Sequence, residues 1–199
     1  MRHYLKGLGL LHSVAPIGFV EELLSGWDHL HEAQLSVYPE PSFPNDDGSR
    51  QVHRVPVGSL RSSFEALLPT LGEQEIAFDS IVYSNARGVQ HVPLVDFLSS
   101  KRRDVERASE ALVAEYSAAR AALFASGESY HLYLGILLST NEWLKFMGRL
   151  LLLNLPDSKP VTDARWVGRR LIGGFGALRL SANTHRFAHF GAPRMVREW

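Results

Sequence analysis

The chain has 199 residues, 21 basic and 21 acidic side chains, and no cysteine. This length can bury the core of one large domain or two small ones. A formal net charge of zero excludes a basic surface spread over the whole molecule, and the lack of cysteine excludes disulfides, zinc fingers and thiol catalysis. No apolar run approaches the ~20 residues of a membrane span, and the N-terminus does not resemble a secretory signal. We therefore expect a soluble cytoplasmic protein with no membrane partner.

The first third of the chain predicts a strand, a helix and a loop. Apolar residues and glycines over 4–11 are typical of a strand. Ser13 can cap a helix that has proline in its first turn and spans residues 16–27. Prolines and turn-forming residues over 38–48 predict a loop, and 59–68 has the spacing of a short amphipathic helix.

The remaining chain predicts a hairpin followed by mixed elements. Two β-rich segments, 75–84 and 89–98, flank turn-forming residues and indicate a β-hairpin. Apolar spacing then predicts a helix over 102–124, a strand over 129–138, helices over 140–153 and 163–171, and a strand over 178–181. This order favours an α+β fold with a largely antiparallel sheet flanked by helices. No glycine-rich loop follows a strand, which excludes a P-loop and a dinucleotide fingerprint.

Two aspartates are candidate metal ligands. Asp96 lies near the end of an otherwise apolar strand, where an unpaired carboxylate is costly, and Asp163 precedes a predicted helix. Carboxylate oxygens are the ligands that Mg²⁺ and Mn²⁺ prefer. A turn cap for Asp96 and a helix N-cap for Asp163 explain the same positions without a metal, so both interpretations stay open.

Two further side chains are suited to phosphate. Strand alternation places His131 on one face with Ser129 and Tyr133, where an imidazole N–H can donate to a triphosphate. Arg179 alternates with two leucines and carries a planar guanidinium that matches phosphate geometry. The simpler alternatives are a half-buried histidine bonded to the backbone and a solvated surface arginine.

In order along the chain, these residues lie in segments that resemble motifs of the archaeo-eukaryotic primase superfamily. The aspartate strand at 91–97 is similar to the family's first motif, and the Ser-Gly-Glu-Ser-Tyr-His segment at 126–131 to its histidine motif. Residues 161–168 and the Leu-Arg-Leu-Ser segment at 178–181 are similar to its final motifs. The resemblance spans residues 76–193. It implies a primase-polymerase-like fold with an RRM-like antiparallel core.

The resemblance also implies a domain organisation and site roles. Residues 73–199 would form the primase-like module, and 1–72 an α/β extension of the same domain. Asp96 and Asp163 would be catalytic ligands of Mg²⁺ or Mn²⁺ in a nucleotidyl transferase.

The remaining implied roles concern binding. Ser126, His131 and Arg179 would bind the incoming nucleotide. The implied partners are a nucleoside triphosphate and single-stranded DNA or RNA.

The sequence departs from the family pattern at its first motif, which is Asp-x-Asp. Positions 94 and 98 are both leucine, so Asp96 stands alone. Primase-like domains that retain a single aspartate occur in bacterial conflict and defence systems, which implies a protein partner from such a system. If the hairpin has a two-residue loop, Asp79 lies diagonal to Asp96 and can supply the missing metal ligand.

Three hypotheses follow. The chain is a primase-type nucleotidyl transferase with a degenerate metal site, a catalytically inactive sensor of nucleotides or nucleic acid, or a structural domain. The leucines at 94 and 98 favour the sensor over an efficient polymerase. The observation that separates them from a structural domain is whether Asp96, His131, Asp163 and Arg179 meet at one concave surface.

Overall fold

The computed structural model describes residues 15–39 and 49–199. Within these ranges the helices are α1 (Pro16–Ser25), α2 (Leu60–Leu67), α3 (Arg102–Glu115), α4 (Thr140–Leu151), α5 (Ala164–Gly173) and α6 (His185–Ala188). The strands are β1 (Leu30–Pro39), β2 (Gln51–Pro56), β3 (Gln74–Ser84), β4 (Gly88–His91), β5 (Leu94–Asp96), β6 (Ala121–Ala125), β7 (Tyr130–Leu134), β8 (Ala177–Arg179) and β9 (Arg194–Glu198). None of these helices is long and apolar enough to cross a membrane. The predicted strand over 4–11 and the Ser13 cap lie outside the described residues.

The strands form two antiparallel sheets. The first sheet has the order β2-β1-β3-β4, with β8 also paired to β3, and the second has the order β5-β7-β6-β9. One apolar core, which we call the main core, contains side chains of both sheets together with α1 and α2. A second core lies between the other face of the second sheet and helices α3, α4 and α5. The predicted α+β class with antiparallel sheets flanked by helices is confirmed.

The first sheet includes two strands, β1 and β2, that the sequence analysis did not predict. In β1, Ala33, Leu35 and Val37 enter the main core, whereas Gln34 and Ser36 alternate with them and are buried on the opposite face. Buried polar residues hide the apolar alternation that identifies a strand. The predicted loop over 38–48 is therefore wrong at its start, because β1 continues to Pro39.

The hairpin between β3 and β4 has a different register from the one that the Asp79 hypothesis needs. Ser84 pairs with Gly88, so three residues rather than two form the loop. The single strand predicted over residues 89–98 is two strands in the structure. Pro93 lies between β4, which pairs with β3 in the first sheet, and β5, which pairs with β7 in the second. The geometric premise for Asp79 as a ligand beside Asp96 is thus wrong.

The predicted helix over 102–124 is also wrong in its second half. Helix α3 ends at Glu115, and Ser117 adopts a positive φ of 49° that breaks the helical path. Residues 121–125 form β6 in the centre of the second sheet. The apolar residues of this alanine-rich segment fit the spacing of a helix and of a strand equally well. Its pairing with β7 and β9 makes it a strand. The division of the chain at residues 72 and 73 stays a prediction.

Candidate functional site

Five of the six predicted site residues line one cavity of about 470 Å³. Asp96, Ser126, His131, Asp163 and Arg179 all contribute to its wall. They come from strands of both sheets, from the β6–β7 turn and from the segment that enters α5. The structure therefore brings together five residues that are distant in the sequence.

Strand pairing places Asp96 beside His131. The two residues are cross-strand partners at the end of β5 and the start of β7, so their side chains leave the same face of the second sheet. His131 Nε2 lies 3.7 Å from Asp96 Oδ1, which is longer than a hydrogen bond. Tyr133, two residues along β7, is fully buried in the main core, so the predicted polar face is restricted to the cavity end of this strand.

Asp163 lies next to Asp96 through backbone contacts. The Asp163 N–H donates to the Asp96 carbonyl oxygen at 3.2 Å. The Asp163 carboxylate is the N-cap of α5, and its Oδ1 accepts hydrogen bonds from the N–H groups of Arg165 at 2.8 Å and Trp166 at 3.2 Å. Asp163 thus combines the predicted helix cap with a position on the cavity wall.

Asp96 has a raised proton affinity because it is buried and lies near a second carboxylate. Burial, followed by the charge of Asp163, raises the pKa of Asp96 to about 7, against the opposing charges of Arg179, Arg186 and Arg170. A bound cation would relieve the repulsion between the two aspartates. Asp96 is therefore a carboxyl group that changes charge near neutral pH.

His131 is neutral in the cavity. Burial, followed by the charge of Arg179, lowers the pKa of His131 well below its ordinary value. Its Nδ1 atom is buried and has no hydrogen-bond partner among the described residues. A neutral imidazole can bind phosphate only as an N–H donor, because it contributes no positive charge.

Arg179 is buried, which corrects the simpler interpretation of a solvated surface arginine. Its guanidinium donates to the carbonyl oxygen of Ser126 at 2.7 Å and to that of Ser181. The Phe187 ring lies against it, with its centroid 4.0 Å from Cζ. Arg179 therefore ties β8 of the first sheet to the β6–β7 turn of the second while it lines the cavity.

The cavity wall is rich in arginine. Among the described lining residues, six arginines accompany only three acidic side chains, Asp96, Glu128 and Asp163. The arginines are Arg50, Arg165, Arg169, Arg170, Arg179 and Arg186. The zero net charge of the whole chain concealed this local excess. The sequence shows three of these arginines close together within α5, but it gives no signal that Arg50 and Arg186 join them.

Acidic side chains are few in the cavity wall. In residues 15–39 and 49–199, no group of three or more His, Asp or Glu side chains is arranged to hold a metal ion. Leu98 lines the cavity two residues after Asp96, where a second aspartate of an Asp-x-Asp motif would stand. Asp79 does not line the cavity, and its carboxylate accepts hydrogen bonds from Gln34 Nε2 and Ser36 Oγ, both at 2.8 Å.

Comparison with known proteins identifies the family. No curated protein matches the chain significantly. A family model described as archaeo-eukaryotic primase 1D-like matches residues 60–191, which is more than half of the chain and includes every residue of the cavity wall named above except Arg50. This chain belongs to the archaeo-eukaryotic primase-like family.

Proposed function

We propose that the cavity binds the triphosphate of a nucleotide. The observation that carries this proposal is the excess of arginine over acidic side chains in one cavity that also contains the predicted nucleotide-binding residues. Guanidinium groups bind phosphate oxygens through planar pairs of N–H donors, and their charge compensates the phosphate charge. The aromatic rings of Trp166 and Phe187 on the same wall offer surfaces for a nucleobase.

The acidic residues fit one cation rather than two. Mg²⁺ is commonly held by one or two carboxylates together with substrate phosphates, and Asp96 and Asp163 provide that number. A two-cation clamp needs further carboxylates, and Leu98 occupies the position where one is expected. A single Mg²⁺ or Mn²⁺ at Asp96 and Asp163 would neutralise charge where the triphosphate binds.

Nucleotide sensing is the function that this donor set favours, and nucleotidyl transfer is the second candidate. The adjacency of Asp96 and Asp163 favours transfer, whereas Leu98 favours binding without turnover. A sensor role is consistent with a signalling partner from a bacterial defence system. In either case the cavity would select a nucleoside triphosphate, and single-stranded DNA or RNA would be the second ligand.

Calorimetric titration with ATP tests the proposal. We expect wild-type protein to bind ATP, Arg186→Ala and His131→Ala to bind it at least tenfold more weakly, and Arg103→Ala on the exposed surface of α3 to bind it as wild type does. Absence of ATP binding, or equal affinities for all variants, would refute the triphosphate site.

A primer-synthesis and extension assay with Mn²⁺ separates the two candidate functions. Product formation that Asp96→Ala abolishes would establish nucleotidyl transfer. ATP binding without product would support the sensor. Thermal unfolding of each variant controls for loss of the fold.

A further inference from the structure

The outer face of the first sheet carries two stacked arginine–tyrosine pairs. The guanidinium carbon of Arg50 lies 4.1 Å from the centroid of the Tyr38 ring, and that of Arg54 lies 4.1 Å from the centroid of the Tyr83 ring. Val52 lies between the two arginines in the sequence and is 49% exposed. We call Tyr38, Arg50, Val52, Arg54 and Tyr83 the arginine–tyrosine strip. The Tyr38 ring is buried, so the groups of the strip that a ligand can reach belong to the other four residues.

Strand alternation places the strip on the face opposite the main core. Val55 is buried in the core, so its neighbour Arg54 and the alternate residue Val52 face outward. Arg54 pairs with Gln34, and Val52 pairs with Ser36, across β1 and β2. Tyr38 lies four residues after Gln34 along β1, so the strip extends over about 13 Å.

The strip is continuous with the cavity. Tyr38 and Arg50 line the cavity wall, whereas Arg54 and Tyr83 do not. A ligand that enters the cavity at Arg50 can therefore continue along β1 and β2 to Arg54. Glu32, the cross-strand partner of Tyr83, brings an acidic side chain to the far end.

A buried hydrogen-bond network supports both pairs. Tyr83 Oη donates to Gln34 Oε1 at 3.2 Å, and Gln34 Nε2 donates to Asp79 Oδ2 at 2.8 Å. From the other end, Arg50 Nη1 donates to Ser36 Oγ at 2.9 Å, and Ser36 Oγ donates to Asp79 Oδ1 at 2.8 Å. Asp79 thus connects the two stacked pairs, which gives this buried carboxylate a positioning role at the strip.

We propose that the arginine–tyrosine strip binds single-stranded nucleic acid next to the cavity. Unpaired bases stack on aromatic rings and on guanidinium planes, and guanidinium groups also contact phosphates. The exposed Val52 between the arginines adds apolar contact for a base or sugar. A duplex hides its base faces and cannot stack in this way. The inference deepens the proposed function, because it names the surface that receives the nucleic-acid strand.

Fluorescence anisotropy with labelled oligothymidylate and oligouridylate tests the strip. Because stacking contributes about 1–3 kcal/mol per base, we expect Tyr83→Ala to weaken binding about fivefold to 140-fold. Arg54→Ala should weaken binding and also reduce the slope of log affinity against log salt by about 0.7, since one phosphate contact is lost. Tyr83→Phe keeps the ring and should bind within twofold of wild type.

The matched control is Arg103→Ala, which removes an exposed arginine from α3 and should leave oligonucleotide affinity unchanged. The inference is overturned if Arg54→Ala and Tyr83→Ala bind single strands as Arg103→Ala does, if wild type binds no single strand, or if it binds duplex of the same sequence equally well. Comparison of the two oligonucleotides decides between DNA and RNA.

ATP titration of the same variants keeps this test separate from the triphosphate proposal. Arg54 and Tyr83 lie outside the cavity wall, so their alanine variants should bind ATP as wild type does. A protein that binds no ATP but loses oligonucleotide affinity in Arg54→Ala would refute the triphosphate site and retain the strip. The opposite pair of results would refute the strip alone.

Discussion

Replacement of Asp96 by asparagine should stabilise the protein in a pH-dependent way. The pKa of Asp96 is raised from 3.8 to about 7, so between these values the folded state retains a proton that the unfolded state releases. The contribution of Asp96 to the free energy of unfolding therefore falls as pH rises from about 4 to about 7 and stays low above it. Asparagine resembles the protonated carboxyl group in shape but does not ionise.

The pKa difference corresponds to about 4 kcal/mol between the two protonation states. Because 26% of the side chain is exposed and solvent screens its charge, we expect about half of this, ~2 kcal/mol. Asp96→Asn should thus unfold with a free energy about 2 kcal/mol higher than wild type at pH 8, and the two proteins should be equally stable below pH 4.

Urea unfolding followed by tryptophan fluorescence at several pH values measures this difference. Other titrating groups are shared by both proteins and cancel in the comparison. Added Mn²⁺ should raise the melting temperature of wild type and not that of Asp96→Asn, since a cation at Asp96 stabilises only the ionised carboxylate. A variant less stable than wild type at pH 8 would refute the reasoning.

Three further predictions concern stability. Glu75→Ala should lower the free energy of unfolding by about 3 kcal/mol in urea titrations, because the buried Glu75 carboxylate accepts hydrogen bonds from Ser181, Asn183 and Thr184. A loss below about 1 kcal/mol would contradict this prediction. Gly135→Ala should lower the melting temperature by several degrees or prevent folding, because the added Cβ would lie 2.6 Å from a backbone carbonyl oxygen. Gly148→Ala is the control, because the space around its Cβ is open. Burial lowers the pKa of His91 to about 4, so its contribution to stability is complete above pH 6.5 and is lost as pH falls towards 4. Comparison of unfolding free energies with His91→Gln should show this slope only in wild type.

The local motifs were predictable because each lies within one strand or at one helix end. The apolar sequence before Asp96 and the turn before His131 identify strand ends, and the acid at 163 before an amphipathic segment identifies an N-cap. Strand β1 was missed because Gln34 and Ser36 are polar yet buried, and their burial depends on Asp79 from another strand.

The composition and spacing of the sequence determined the α+β class, and the resemblance to family motifs selected the residues of the first and final motifs. Tertiary structure alone decided the hairpin register, the division of residues 88–96 between two sheets, and the meeting of Arg50 and Arg186 in one cavity. The physical reason is that apolar periodicity encodes which face of an element is buried, whereas the partner of that face is chosen by long-range packing. A chain with no net charge can for the same reason carry a strongly basic cavity, because folding and not composition separates its charges in space.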